Sequence, residues 1–227
     1  MIRARKVCKT YQSPAGPLPV LRELDLEVGA SESASIVGPS GSGKTTLLNL
    51  LGALDRPSSG SIEVDGKVVS KLDEKAAAHF RNRSIGFIFQ LHYLLPQCSV
   101  LDNVLVPRLT GDWEESAGET RQRAEKLLDE VGLRDRMEYR PYQLSGGEQL
   151  RVAIARSLIN QPKIILADEP TGSLDPATGE RIAELLIRSN RGRNVALVVV
   201  THNLGLAGRM QKSYRLDDGR LISRERS

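Results

Sequence analysis

Three observations predict an α/β fold. The stretch Gly38-Pro39-Ser40-Gly41-Ser42-Gly43-Lys44-Thr45 fits G-x-x-x-x-G-K-[ST] without mismatch. Short apolar runs, Ala34 to Val37, Ile85 to Phe89, Ile164 to Ala167 and Val195 to Val200, read as buried strands spaced along the chain. One of them ends in adjacent carboxylates, Asp168-Glu169, and the carboxyl end of a central strand is where open α/β sheets bind ligands. Together they predict a P-loop NTPase, with the glycine-rich loop leaving one core strand and opening a helix.

The loop's composition follows from its chemistry. Consecutive backbone N–H groups wrap a polyphosphate, and glycine lets the chain turn tightly and approach closely. Lys44 is placed to reach the β- and γ-phosphates, and the Thr45 hydroxyl to ligate Mg²⁺. A helix starting near Lys44 would aim the positive end of its dipole at the phosphates.

Composition sets outer bounds. The 227 residues are 40% hydrophobic and 26% charged, which is ordinary globular composition and enough chain for a sizeable core. A single domain is expected, with a core over about 1–90 and 161–227 and a helical subdomain over about 91–160. No apolar run approaches the roughly 18 residues of a membrane-spanning helix. Met1 to Lys6 is basic but lacks the apolar stretch of a secretory signal, so the chain is expected on the cytoplasmic side. Cys8 and Cys98 form no C-x-x-C pattern and read as free structural thiols. The net charge of +4 is modest, and it predicts solvated surface and no nucleic-acid partner.

In chain order, residues 2–9 read as a strand leading to Tyr11, and Ser13 to Pro19 as a turn-rich loop. Val20 to Val28 resumes strand alternation. The P-loop helix is expected to run to about Leu54 and to be stopped by Arg56-Pro57-Ser58-Ser59-Gly60. Ser61 to Val69 reads as a hairpin on Asp65-Gly66. Ile85 to Phe89 ends at Gln90, after which the chain becomes mostly helical. Ala124, Leu127, Leu128 and Val131 mark an amphipathic helix. Ser145 and Glu148 have capping-box spacing ahead of Val152, Ala155, Leu158 and Ile159. Capping accounts for Ser145 and Glu148 but not for Gly146 and Gly147, and this glycine-rich helix end is a second candidate anion site. Asp168 is placed to hold Mg²⁺ and Glu169 to polarise an attacking water. His202, at the end of the last apolar strand, is placed to sense a γ-phosphate.

Taken together these stretches resemble the nucleotide-binding subunits of ABC transporters over essentially the whole chain. The resemblance implies an ABC ATPase with a RecA-like core sheet, an antiparallel β subdomain and a helical subdomain. Tyr11 matches the aromatic that stacks on adenine, and Gly38 to Thr46 the Walker A loop, so Thr46 joins Gly38, Pro39, Ser40, Gly41, Ser42, Gly43, Lys44 and Thr45 in holding ATP. Gln90 matches the Q-loop residue that contacts Mg²⁺ and couples to membrane subunits. Leu144 to Gln149 matches the signature, with Glu148 where many members have Gln. Ile164 to Asp168 matches Walker B, Glu169 the catalytic base, Ser173-Leu174-Asp175 the D-loop and His202 the switch histidine. Ser31-Glu32-Ser33 departs from the usual Gly-Glu turn. The family pattern implies an ATP-dependent homodimer in which Ser145, Gly146 and Gly147 of one copy meet the γ-phosphate held by the other. It also implies separately encoded membrane permease subunits and a place on the cytoplasmic face of the inner membrane.

Phe89 to Pro96 with Val100-Leu101-Asp102-Asn103-Val104 is similar to lipoprotein-releasing (LolD-type), MacB-type and FtsE-like ATPases, and closest to the first. That resemblance implies release of lipoproteins from the inner membrane, with antimicrobial-peptide or macrolide export as the alternative. A non-transport ABC ATPase is the alternative from another class, and the lack of a long heptad run speaks against it. A regulatory module without catalysis is opposed by Lys44, Asp168, Glu169 and His202.

Overall fold

The computed structural model of the chain describes residues 1–111, 113–172 and 174–223. Two sheets share one face of a common core. The smaller is antiparallel, formed by β1 (Ile2–Ser13), β2 (Gly16–Val28), β4 (Ser59–Val64) and β5 (Lys67–Val68) in the order β2-β1-β4-β5. The turn-rich stretch is shorter than its composition predicts. Only Pro14 and Ala15 turn, and Gly16 to Pro19 already pair with Ser13 to Thr10. Pro17 and Pro19 are tolerated because β2 is an edge strand, where a missing N–H faces no ladder partner. The Asp65-Gly66 hairpin forms as expected, with φ of 50° and 75° at its two turn residues.

The larger sheet runs β10-β9-β3-β8-β7-β6, from β3 (Ser33–Val37), β6 (Ile85–Ile88), β7 (Ile164–Asp168), β8 (Ala196–Val200), β9 (Lys212–Asp217) and β10 (Arg220–Ser223). All its pairings are parallel except the terminal β9–β10 hairpin. Alternate residues serve two cores, which is why the central strands are apolar throughout. Ile36, Ile164, Leu166, Val198 and Val200 pack toward the small sheet, and Ile165, Ala167, Leu197 and Val199 toward the helices behind. Ahead of β3, Ser31 takes the left-handed turn position at φ 60°. The Glu32 carboxylate accepts the Gly29 N–H at 2.6 Å and pairs with Lys212 at 2.6 Å, so the departure there is confined to a turn.

Helix α1 (Lys44–Leu51) stops earlier than the breaker residues suggest. Its end is a Schellman motif: Leu54 N–H donates to Asn49 O at 2.9 Å and Ala53 N–H to Leu50 O at 3.1 Å. These bonds satisfy the last carbonyls locally, four residues before Arg56 is reached. The motif puts Ala53 at φ 52°, where glycine is usual. Ala53→Gly is therefore expected to raise stability by about 0.5–1 kcal/mol, read as a higher urea midpoint with unchanged slope.

Between β6 and β7 lie α3 (Val100–Leu105), α4 (Ala117–Glu130) and α5 (Gly146–Leu158). Ala124, Leu127 and Leu128, with Val131 at the C-cap, form the buried stripe of α4. Two helices went unread in the sequence: α2 (Glu74–Ser84) before β6 and α6 (Pro176–Arg193) before β8. A last short helix, α7 (Leu204–Gly208), precedes β9. No helix among the described residues is long and apolar enough to cross a membrane.

Candidate nucleotide site

Parallel register puts the carboxyl ends of β3, β6, β7 and β8 along one edge of the sheet, and this edge collects the predicted residues. β3 runs into Gly38, β6 toward Gln90, β7 ends at Asp168 and β8 leads to Thr201 and His202.

The loop from Gly38 to Gly43 is held too tightly for side chains at its two ends. A Cβ on Gly38 would lie 2.3 Å from Leu216 O, and one on Gly43, at φ 98°, would lie 2.9 Å from Val20 Cγ1. Gly43 caps α1 without a side-chain bond, and the first turn holds no acid, so its N–H groups stay available to an anion. Among the described residues the buried Ser42 hydroxyl finds no hydrogen-bond partner, which suits a loop built to take phosphate oxygens. Pro39, Ser40 and Gly41 are exposed in the loop, as is Thr45 in the first turn of α1. Lys44 is buried and donates to Gly38 O at 2.9 Å and Pro39 O at 3.0 Å, so its ammonium waits inside the loop.

Thr45 Oγ1 donates to Asp168 Oδ2 at 3.0 Å and so joins Walker A to β7. Asp168 is 8% exposed, and burial pushes its carboxyl above the usual range. The Thr45 bond opposes that rise and the Glu169 charge adds to it. A buried carboxylate beside another, joined to a hydroxyl, is an oxygen-donor corner that a small hard cation such as Mg²⁺ would neutralise.

Glu169 sits at φ 45°, just past the strand end, with its N–H bonded to Val200 O at 2.9 Å. Its Oε2 accepts from Thr201 Oγ1 at 3.0 Å and from the His202 N–H at 3.1 Å, and His202 Nδ1 lies 3.0 Å away. The His202 ring is otherwise exposed. Thr201, fully buried, has no role in the sequence reading; a hydroxyl ending an apolar strand was its only signal.

Tyr11 reaches this edge from the small sheet. Its hydroxyl donates to Asp55 Oδ2 at 2.8 Å and also meets Thr46 on α1. Lys9 Nζ sits 4.7 Å from the ring centroid and donates to Asp55 Oδ1 at 2.7 Å. Burial drives the Asp55 carboxyl upward, but the bonds from Lys9, Tyr11 and the Arg56 N–H outweigh it and hold it below the usual range. Lys9 and Asp55 thus fix the ring's orientation, and neither was singled out in the sequence. Gln90 stands exposed in the turn after β6.

Ser145, Gly146 and Gly147 are not joined to this cluster by any hydrogen bond recorded among the described residues. Ser145 caps α5, accepting the Glu148 N–H at 3.3 Å while its own N–H donates to Glu148 Oε2 at 2.8 Å. Gly147 is needed for close packing, since a Cβ there would meet Thr178 Cγ2 of α6 at 2.6 Å. Gly146 is exposed, and its nearest such neighbour, Leu174 Cδ2, is 4.0 Å away. Asp175 caps α6 by accepting the Thr178 N–H at 3.0 Å. Ser173 lies outside the described residues.

Residues 21–172 match the family model described as ABC transporter. Over 226 residues the chain is 49% identical to "Lipoprotein-releasing system ATP-binding protein LolD 1" of Rhodopirellula baltica, covering 100% of this chain and 98% of the relative. It is 48% identical to the LolD of Syntrophus aciditrophicus, covering 98% of this chain and 99% of that one. A dimeric ATP-binding cassette solved in a post-hydrolysis state with ADP and Pi superposes with a TM-score of 0.92 at 38% identity, covering 100% of this chain and 99% of that one. With the phosphate loop, the carboxylate edge and the whole architecture matched together, the chain belongs to the ABC transporter family.

Proposed function

We propose that this chain is the ATP-hydrolysing subunit of a membrane complex that releases lipoproteins from the inner membrane toward the outer membrane. The reading rests chiefly on full-length identity of 46–49% to four lipoprotein-releasing relatives. The Phe89 to Pro96 segment, which lies within the matched length, points the same way.

In this reading the loop from Gly38 to Thr46 holds the phosphates, and Lys44 exchanges the Gly38 and Pro39 carbonyls for β- and γ-phosphate oxygens. Tyr11, oriented by Lys9 and Asp55, offers its ring to adenine. Thr45, Asp168 and Gln90 would hold Mg²⁺, which supplies charge neutralisation on the phosphate oxygens when bound. Glu169 takes the proton of the attacking water. The Thr201 hydroxyl, the His202 amide and the His202 ring all converge on its Oε2, which fixes the carboxylate and leaves Oε1 to face the water. The His202 ring is placed to read the γ-phosphate.

Ser145, Gly146 and Gly147 stand apart from the P-loop, and a second copy placed head to tail supplies the match. The signature of each copy then covers the phosphates of the other, with Asp175 near the shared boundary. ATP is bound more tightly in the closed dimer than in separate copies, so binding closes it and hydrolysis reopens it. The groove lined by Leu54, Phe87, Phe89, Tyr93, Val106 and Pro107 is our seat for the permease subunits. It lies between the core, 1–90 and 161–227, and the helical subdomain, 91–160, and it keeps this subunit peripheral on the cytoplasmic face.

The test is recovery of partners from detergent-solubilised native membranes with tagged Glu169→Gln protein and ATP, read by mass spectrometry. Permeases together with lipoproteins are expected. Permeases with an export adaptor and no lipoproteins would favour peptide or macrolide export, and no membrane protein at all would remove the transport reading.

A further inference from the structure

The loop after Gln90 carries two successive non-glycine residues in the left-handed region, His92 at φ 61° and Tyr93 at φ 47°. Such a pair is costly for residues with a Cβ and persists only where the surroundings over-determine it. Local bonds account for part of the shape: His92 N–H donates to Phe89 O at 2.9 Å and Tyr93 N–H to Leu91 O at 2.6 Å. The carbonyls of the same two residues go elsewhere. Arg156 Nη2 donates to His92 O at 2.5 Å and Arg156 Nη1 to Tyr93 O at 2.8 Å. One planar guanidinium therefore holds both strained peptides from the outside. The side chains are fixed as well, with the His92 ring buried and Tyr93 edge-on to Phe89 at a centroid distance of 5.3 Å.

Arg156 belongs to α5, about three helical turns beyond Ser145. A rigid helix thus carries the signature glycines at one end and the guanidinium that fixes the Gln90 loop near the other. Gln90 is two residues upstream of the first clamped carbonyl and is exposed. Without the clamp, relaxation of His92 or Tyr93 out of the left-handed region would swing the short segment between them and Gln90.

We propose that Arg156 is a positioning residue: its two-pronged grip on the His92 and Tyr93 carbonyls sets the place of Gln90 and ties it to the helix that bears Ser145, Gly146 and Gly147. The consequence for turnover rests on the nucleotide-site reading above, whereas the clamp itself does not. Lysine keeps the charge and much of the length but offers one ammonium in place of a fork, so it cannot hold both carbonyls in the same geometry.

Two measurements separate these parts. In Arg156→Lys, amide hydrogen exchange over residues 89–95 is expected to rise about tenfold, while strands 164–168 and 196–200 keep wild-type protection. Unchanged exchange over 89–95, or an equal rise in the strands, overturns the clamp and leaves Arg156 an ordinary packing residue. Arg156→Gln serves as the second variant if the lysine protein does not fold. For turnover, Arg156→Lys is compared in wild-type and Gln90→Ala backgrounds. A loss in kcat of about tenfold that shrinks below about twofold once Gln90 is gone, with KM for ATP unchanged, is the expected coupling. Equal losses in both backgrounds overturn the link to Gln90. If the wild-type protein has no ATPase activity, it is the functional reading that fails, and the exchange result still decides the clamp.

Discussion

Glu169→Gln is expected to lower ATP turnover by about a hundredfold or more while ATP binding survives. The substitution keeps the shape of the side chain, and an amide oxygen can still accept from the Thr201 hydroxyl and the His202 amide. What is lost is the basicity needed to take a proton from water. Because Lys44 and the loop from Gly38 to Gly43 are untouched, nucleotide affinity should change little, and in the homodimer proposed above ATP should hold the closed form for longer. Steady-state phosphate release gives the first quantity, and sedimentation with and without ATP gives the second. Equal turnover in the two proteins would remove Glu169 from the role of base. Loss of ATP binding would instead mean that its contacts to Thr201 and His202 hold up the site as a whole.

Asp168→Asn is expected to separate stability from activity. The carboxyl of Asp168 is buried, pushed above its usual range by that burial, and placed beside Glu169. Removing its charge relieves desolvation and repulsion in the nucleotide-free protein, and the asparagine oxygen can still accept the Thr45 hydroxyl. Higher stability is expected, read as a raised Tm. Turnover should nevertheless fall by about a hundredfold, since a neutral amide is a poor ligand for a hard divalent cation. The sign of the pH effect agrees. With its folded-state pKa raised, Asp168 binds its proton more readily in the native protein than in the unfolded chain. The wild-type protein therefore loses stability from this group as pH rises from the usual carboxylate range through the raised value, whereas Asp168→Asn should lack that component. Thermal melts across that window, with and without the substitution, check it. A lower Tm for the variant at neutral pH would show that the Thr45–Asp168 contact outweighs the burial cost.

How much of this could be read from the chain depended on the range of the interactions involved. Gly41 and Gly43 were legible because positive φ is a local demand, and Ser145 with Glu148 because a capping box closes within four residues. The apolar runs of β7 and β8 were legible because both faces are buried. Helices α2 and α6 were missed because their buried stripes are thin or mixed with polar groups. Only Ala77 and Phe80 are buried in α2, while α6 buries Ser189 and Asn190. Asn190 finds its partners in the fold, donating to Val195 O at 2.6 Å and Ser31 O at 3.1 Å. The β9–β10 hairpin was hidden by its charges, which the edge position of β10 allows.

The sequence by itself determined the phosphate loop, the strand ends that carry Gln90, Asp168, Glu169 and His202, and the family these motifs resemble. Each follows from local backbone demands or from the chemistry of a short run. Only the tertiary structure decided which of those residues meet. Thr45 and Asp168, 123 positions apart, touch because β3 and β7 both run parallel to β8 in register. The same register brings Thr201 and His202 onto Glu169, and packing of α5 against β6 brings Arg156 to the loop after Gln90. Hydrogen-bond geometry across strands and helices is set by register and packing, and no spacing along the chain encodes it.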